Sequence, residues 1–196
     1  MRTKLLGLLL LFNFLMAMSV SGQEADLDKI EKNILVKKIN NYDIVYDCYN
    51  RRQTTTDKII VYAKQQKTRK ELLTYEFGDN YIEDVTIEYF LGHPFIYITS
   101  GHTHGHFYGS LYALDIQRLK TNEVSFLPNH LKNKAPRNLE HRNDNGLRIE
   151  NNKIIDGAYY RDKDGNNYAV DFEYKIIKTG RNGYALKAVK QIVSHD

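Results

Sequence analysis

Residues 81–90 read Tyr-Ile-Glu-Asp-Val-Thr-Ile-Glu-Tyr-Phe, and this stretch decides the fold class. Apolar Val85, Ile87 and Tyr89 alternate with polar residues. Successive side chains of a β-strand point to opposite faces, so strict alternation predicts a strand with one apolar and one polar face.

Strand patterns continue on both sides of this stretch. Further short segments rich in β-branched and aromatic residues are 42–48, 58–64, 72–77, 94–99, 107–117, 124–127, 147–150, 153–156, 168–177 and 184–193. They are separated by turn-forming residues, such as Asn151 and Asn152, the segment 162–166 and the segment 178–183. Short strands with frequent turns predict an antiparallel all-β protein, built as a sandwich, a barrel or a large curved sheet.

One segment favours a helix instead. Between Glu24 and Asn40, apolar Leu27, Ile30 and Ile34 recur at intervals of three and four residues among charged residues. This spacing predicts a short amphipathic N-terminal helix. With that helix, the fold class is all-β or a β-rich α+β.

The N-terminus has the layout of a secretory signal peptide. Arg2 and Lys4 precede a leucine-rich apolar stretch, and small residues follow up to Gly22. The apolar stretch is shorter than the ~20 residues that a membrane-spanning helix needs. We therefore expect residues 1–22 to be removed, no membrane span to remain, and the mature protein to be secreted or periplasmic.

The remaining chain has the length of one domain. Residues 23–196 predict a single β-rich domain with an exposed polar loop near 128–146, where Asn, Lys, Arg and His dominate. Cys48 is the single cysteine of the sequence, so no intramolecular disulfide forms. Because no histidine is near it in sequence to activate it, we interpret Cys48 as a buried small residue rather than a nucleophile.

The charge balance argues against nucleic acid as a partner. Removing the signal peptide takes Arg2 and Lys4, which lowers Lys plus Arg from 28 to 26 against 24 acidic residues. The formal charge falls from +4 to +2. Electrostatic capture of DNA or RNA needs a concentrated basic face, which this composition does not indicate.

Histidines give the clearest hint of a metal site. His102, His104 and His106 alternate along residues 100–107, and His93 lies upstream. Residues two apart share a strand face, and neutral imidazole is a preferred ligand of zinc and copper. The alternative is that the intervening glycines break the strand, which leaves the histidines as hairpin residues without a dedicated role.

Tyrosine is abundant, with fifteen residues and no tryptophan. Candidates for an aromatic binding surface on or beside the predicted strands are Tyr97, Tyr108, Tyr112, Tyr159 and Tyr160. Tyrosine supplies a large, rigid contact area, so such a surface suits a protein or a surface glycan. Half-buried packing within the sheets is the competing interpretation.

No catalytic motif accompanies these features. The sequence has no Gly-x-Ser-x-Gly elbow, no phosphate-binding glycine loop and no His-Glu-x-x-His helix. The sequence therefore favours an exported, non-enzymatic β-domain that binds another macromolecule, as an inhibitor or an immunity-type protein does. The alternative is a metal-binding protein or metal-dependent hydrolase that uses the histidine cluster.

The metal hypothesis predicts a pH-dependent affinity. If His102, His104 and His106 share a face, Zn²⁺ or Cu²⁺ binds less tightly as pH falls through the imidazole range near ~6.5, because only neutral imidazole coordinates metal. A variant carrying His102→Ala and His104→Ala should lose binding in titration calorimetry. Unchanged binding in that variant places the site elsewhere, and no binding by the wild type contradicts the hypothesis.

Overall fold

The computed structural model describes residues 28–50, 56–77, 80–102, 107–131, 138–144, 146–180 and 183–195. Within these residues the protein forms fourteen strands and no helix. The strands form several antiparallel sheets, one of which curls into a half-barrel, so the predicted antiparallel all-β fold is confirmed. The described part of the chain contains no helix that is long and apolar enough to cross a membrane.

The strands form three sheets that follow the order of the chain. Sheet 1 consists of β1 (Asp28–Ile39), β2 (Tyr42–Asn50), β3 (Thr56–Gln65) and β4 (Thr68–Glu76), in that order. Sheet 2 consists of β5 (Asn80–Phe90), β6 (His93–His102), β7 (Phe107–Asp115) and β8 (Lys120–Glu123), again in order.

Sheet 3 is larger and less regular. Its strands are β9 (Ser125–Phe126), β10 (Glu140–Asp144), β11 (Arg148–Glu150), β12 (Lys153–Arg161), β13 (Asn167–Thr179) and β14 (Gly183–His195). The spatial order is β10-β12-β13-β14-β9, with β11 also paired to β12. After β8, at the edge of sheet 2, the chain enters sheet 3 as β9. Among the described strand pairs, β9 and β14 form the one parallel pair.

Sheet 2 lies between the other two sheets. On β6, Ile96 and Ile98 pack into the core shared with sheet 1, whereas Phe95 and Tyr97 pack into the core shared with sheet 3. All four side chains are buried. A strand covered on both faces needs apolar residues at consecutive positions, and this explains why residues 95–98 form an unbroken apolar run.

A close backbone approach fixes sheet 3 against sheet 2. The hydroxyl of Tyr97 donates a hydrogen bond to the carbonyl oxygen of Leu147, at 2.9 Å. Gly109 lies opposite the same carbonyl, and a Cβ at this position would overlap it and would meet the Tyr97 ring at 2.7 Å. Glycine is therefore required here by space, and the contact brings the segment before β11 onto β7.

The predicted N-terminal helix is wrong, because residues 28–39 form strand β1. Strand β1 pairs with β2 along its length, but the register shifts three times, and Asn33 adopts a positive φ of 53°. Each irregularity inserts residues into the two-residue alternation. Leu27 lies outside the described residues. The interval of four between Ile30 and Ile34 fits one strand face as well as a helical period.

The predicted exposed loop near 128–146 is partly structured as strand. Glu140–Asp144 forms β10 at the edge of sheet 3, where it pairs with β12, and Leu131 is buried in the core between sheets 2 and 3. Residues 132–137 and 145 lie outside the described residues. The predicted tight turn at Asn151 and Asn152 is present, with φ values of 50° and 62°.

Two substitutions test the contact between sheets 2 and 3. Gly109→Ala should destabilise the protein by about 1–3 kcal/mol, because the added methyl group meets a backbone carbonyl that cannot rotate away. Tyr97→Phe should cost about 1–3 kcal/mol, because it leaves the Leu147 carbonyl without its donor. Urea unfolding measures both free energies.

Lys175→Ala on the outer face of sheet 3 is the control, since exposed substitutions usually stay within about ±0.5 kcal/mol. Full wild-type stability of Gly109→Ala would show that the two sheets do not approach as described.

Candidate functional site

A concave cleft lies at the end of sheet 2 that carries the β5–β6 and β7–β8 turns. It has a volume of about 870 Å³, and residues of β6, β7, β8, β13 and β14 line it. We call it the turn-end cleft, and its chemically distinctive lining residues are His93, Arg118, Lys120, Asn122, Lys178 and Tyr184.

The antiparallel arrangement explains why these residues converge. In a sheet whose neighbouring strands alternate in direction, every second turn lies at the same end. His93 therefore starts β6 beside the turn in which Arg118 lies, between β7 and β8. The β13–β14 hairpin of sheet 3 supplies Lys178 and Tyr184 from the other side.

Positive charge predominates in the turn-end cleft. Its one lining carboxylate, Asp115, accepts hydrogen bonds from the backbone N–H groups of Gln117 and Arg118, at 3.2 and 3.0 Å. The same carboxylate pairs with the guanidinium of Arg118 at 3.4 Å. Asp115 therefore shapes the turn and balances one of three cations. Within the described residues, no carboxylate lies within 4.0 Å of the amino groups of Lys120 and Lys178.

An aromatic pair forms another wall of the turn-end cleft. The rings of His93 and Tyr184 lie 5.8 Å apart, centroid to centroid. Tyr184 also makes an edge contact with the buried ring of Phe95, at 5.1 Å. The core thus holds Tyr184 in place, which gives the cleft a fixed apolar surface beside its cations.

The structure separates two of the predicted metal ligands. His93 begins strand β6 and His102 ends it, and nine residues of extended strand span ~30 Å. One ion therefore cannot bind both. His104 and His106 lie outside the described residues, and no group of three or more potential ligands that could hold a metal occurs among the described ones. Metal binding by His102, His104 and His106 stays a prediction.

Two of the five candidate tyrosines belong to the protein interior. Burial raises the pKa of Tyr97, whose hydroxyl is already bonded to Leu147, to about 12. Tyr112 lies half-buried on the opposite face of sheet 2, with its ring 6.3 Å from that of Tyr75. Burial raises its pKa to about 12 as well.

The other three tyrosines are more accessible but lie apart. Tyr108 and Tyr159 are exposed, on sheets 2 and 3 respectively. Tyr160 follows Tyr159 on β12 and therefore points to the opposite face, where its ring contacts His141 at 5.5 Å. The five tyrosines thus do not combine into one continuous surface.

Sequence reasoning missed a buried carboxylate on sheet 1. Asp47 is fully buried and accepts hydrogen bonds from the backbone N–H of Asn33, at 2.7 Å, and from Arg69, at 2.9 Å. The Arg69 guanidinium covers the ring of Tyr62 at 3.7 Å. Because Asn33 lies at a bulge, this network holds the irregular β1 to the sheet.

The cations of the turn-end cleft were also missed. Arg118 and Lys120 belong to a segment whose polar composition indicates a turn, and Lys178 begins another. Nothing in the sequence links the two turns. Comparison of the chain with protein-family models, curated proteins and solved structures finds no match. Ammonium and guanidinium groups in a concave site bind anionic groups, and this is the chemistry that the geometry of the cleft supports.

Cys48 is buried, as the sequence indicated, and carries a free thiol. Burial, together with the nearby carboxylates of Glu31 and Asp47, raises its pKa to about 11. A thiol with this pKa is ~10⁻⁴ ionised at pH 7, and the thiolate is the reactive form.

Alkylation should therefore be slow in the folded protein. We expect iodoacetamide to modify Cys48 at pH 7 at least about 100-fold more slowly in buffer than in concentrated urea, since an unfolded thiol has a pKa of about 8.5. Mass spectrometry measures the rate, with Cys48→Ala as the control for modification elsewhere. Equal rates in buffer and in urea would contradict the burial of this thiol.

Proposed function

We propose that this protein is an exported, non-enzymatic binding protein that captures another macromolecule, as an inhibitor or an immunity-type protein does. The observation that carries this proposal is the turn-end cleft together with the exposed side chain of Leu91 in the neighbouring turn. Export is supported by the signal-peptide layout of residues 1–22.

An exposed apolar side chain lies beside the cleft. Leu91, in the turn two residues before His93, is 64% exposed. Large apolar side chains beside a concave site are typical of surfaces that bind other proteins.

The foundation of this surface is rigid. Both β6 and β7 place side chains in the two cores, so the turns at their ends extend from strands that are covered on both faces. A preformed surface loses little conformational entropy on binding, which favours affinity. This supports recognition of a partner by a fixed surface rather than by a disordered segment.

Site-specific crosslinking tests the proposal. A photo-crosslinking amino acid at Leu91 and, separately, at Lys120 should give the same adduct with an extracellular or envelope fraction of the producing cells. The same amino acid at Lys187, on the outer face of sheet 3, should not give this adduct.

A substitution then tests affinity with the purified partner. Leu91→Asn should weaken binding at least about tenfold, which corresponds to ~1.4 kcal/mol. Asparagine tolerates the positive φ of 52° at this position, so the variant should fold normally. The matched control is Val193→Asn, which also replaces an exposed apolar residue, on β14. Equal affinity of both variants, or adducts from Lys187 as abundant as those from Leu91, would overturn the proposal.

A further inference from the structure

We infer that the turn-end cleft recognises a carboxylate-rich segment of its protein partner. This inference rests on the proposed function, because it names the chemistry that the same surface selects.

The charged side chains of the cleft favour an anionic ligand. Arg118, Lys120 and Lys178 face one lining carboxylate, that of Asp115. The carboxylate of Asp115 already accepts two backbone N–H bonds and pairs with Arg118. Lys120 and Lys178 have no ion-pair partner among the described residues. Carboxylates of a partner would supply counterions to both amino groups.

The position of the two lysines suits an extended segment. Lys120 begins β8 in sheet 2, whereas Lys178 lies near the end of β13 in sheet 3. They therefore approach the cleft from different sheets, and a ligand that contacts both spans the junction. A chain with several carboxylates does this better than one small anion.

The remaining lining favours an acidic protein segment over nucleic acid. Asn122 and Gln117 line the cleft with amide groups, which can donate to and accept from a peptide backbone. Pro94 and Tyr184 add apolar contacts, which a phosphate backbone does not use. The formal charge of +2 after signal removal also supplies no long basic surface of the kind that nucleic acid requires.

Fluorescence anisotropy with a defined probe tests the inference. Fluorescein-labelled hexaglutamate should bind the mature protein, with an affinity that falls as salt is added, because exposed charges are screened. Labelled hexaglutamine of the same length should not bind. The double variant Lys120→Gln, Lys178→Gln should bind hexaglutamate at least about tenfold more weakly.

The control variant changes the net charge equally at another place. Lys175 and Lys187 are neighbours on the outer face of sheet 3, and Lys175→Gln, Lys187→Gln should leave the affinity unchanged. An equal loss in both double variants would mean that net charge alone attracts the probe, which overturns the inference. In another outcome, a single-stranded DNA oligonucleotide binds as tightly as hexaglutamate or more tightly, and loses this binding in the Lys120→Gln, Lys178→Gln variant. That result would also overturn the inference, because the cleft would then bind polyanions in general.

The outcomes separate this inference from the proposed function. In one outcome, hexaglutamate does not bind the wild type, and the partner crosslinked at Leu91 binds the Lys120→Gln, Lys178→Gln variant as tightly as it binds the wild type. The inference of an acidic ligand is then wrong, while the proposed partner binding stands. If hexaglutamate binds as expected but no partner is crosslinked at Leu91, the acidic specificity stands and the proposed function is wrong.

Discussion

Burial of both faces of sheet 2 is the constraint on which the other two sheets depend. Strand β6 directs Ile96 and Ile98 to one core and Phe95 and Tyr97 to the other. Sheets 1 and 3 do not share a core with each other, so each is held by its own contact with sheet 2. A polar residue at any of these four positions would weaken one of the two cores, because burying an unpaired polar group costs about 1–3 kcal/mol.

Polar contacts between strands add specificity to the apolar packing. The hydroxyl of Tyr97 reaches the carbonyl of Leu147, and Gly109 leaves the space for that approach. On the outer face of sheet 3, Gly157 likewise leaves room for the carboxylate of Asp171, which pairs with Arg148. In both places the missing side chain lets a polar group of another strand approach closely. At Gly157 the approaching atom is Oδ1 of Asp171, which has no hydrogen-bond partner among the described residues, whereas Oδ2 pairs with Arg148. These polar contacts define the relative position of the strands. Apolar contacts alone would define that position less specifically.

The same layering creates the turn-end cleft. Turns of sheet 2 project beyond its covered strands, and the β13–β14 hairpin of sheet 3 rises beside them. The resulting surface combines aromatic rings with the cations of Arg118, Lys120 and Lys178, which lie in the β7–β8 turn and near strand ends. In the function that we propose, the apolar contacts would contribute affinity and the charges would select an anionic partner. The signal-peptide layout predicts that this recognition takes place outside the cytoplasm.

Local patterns were enough to predict most of the fold. Alternation in residues 81–90 and the asparagine pair at 151 and 152 indicated strands and turns that the structure contains, because the two-residue period and positive φ are local properties. Local patterns failed at β1, where an apolar spacing that also suits a helix lies on an irregular strand held to the sheet by the buried Asp47.

The candidate site was decided by tertiary structure. His93 and His102 are close in sequence, but an extended strand places them at opposite ends of sheet 2. Lys120 and Lys178 are distant in sequence, but the contact between sheets 2 and 3 brings both into one cleft. The sequence by itself determined most of the strands, with β1 and β10 as exceptions, since strand formation depends largely on neighbours along the chain. The cleft depends on which sheets share a core, and only the packed structure decides that.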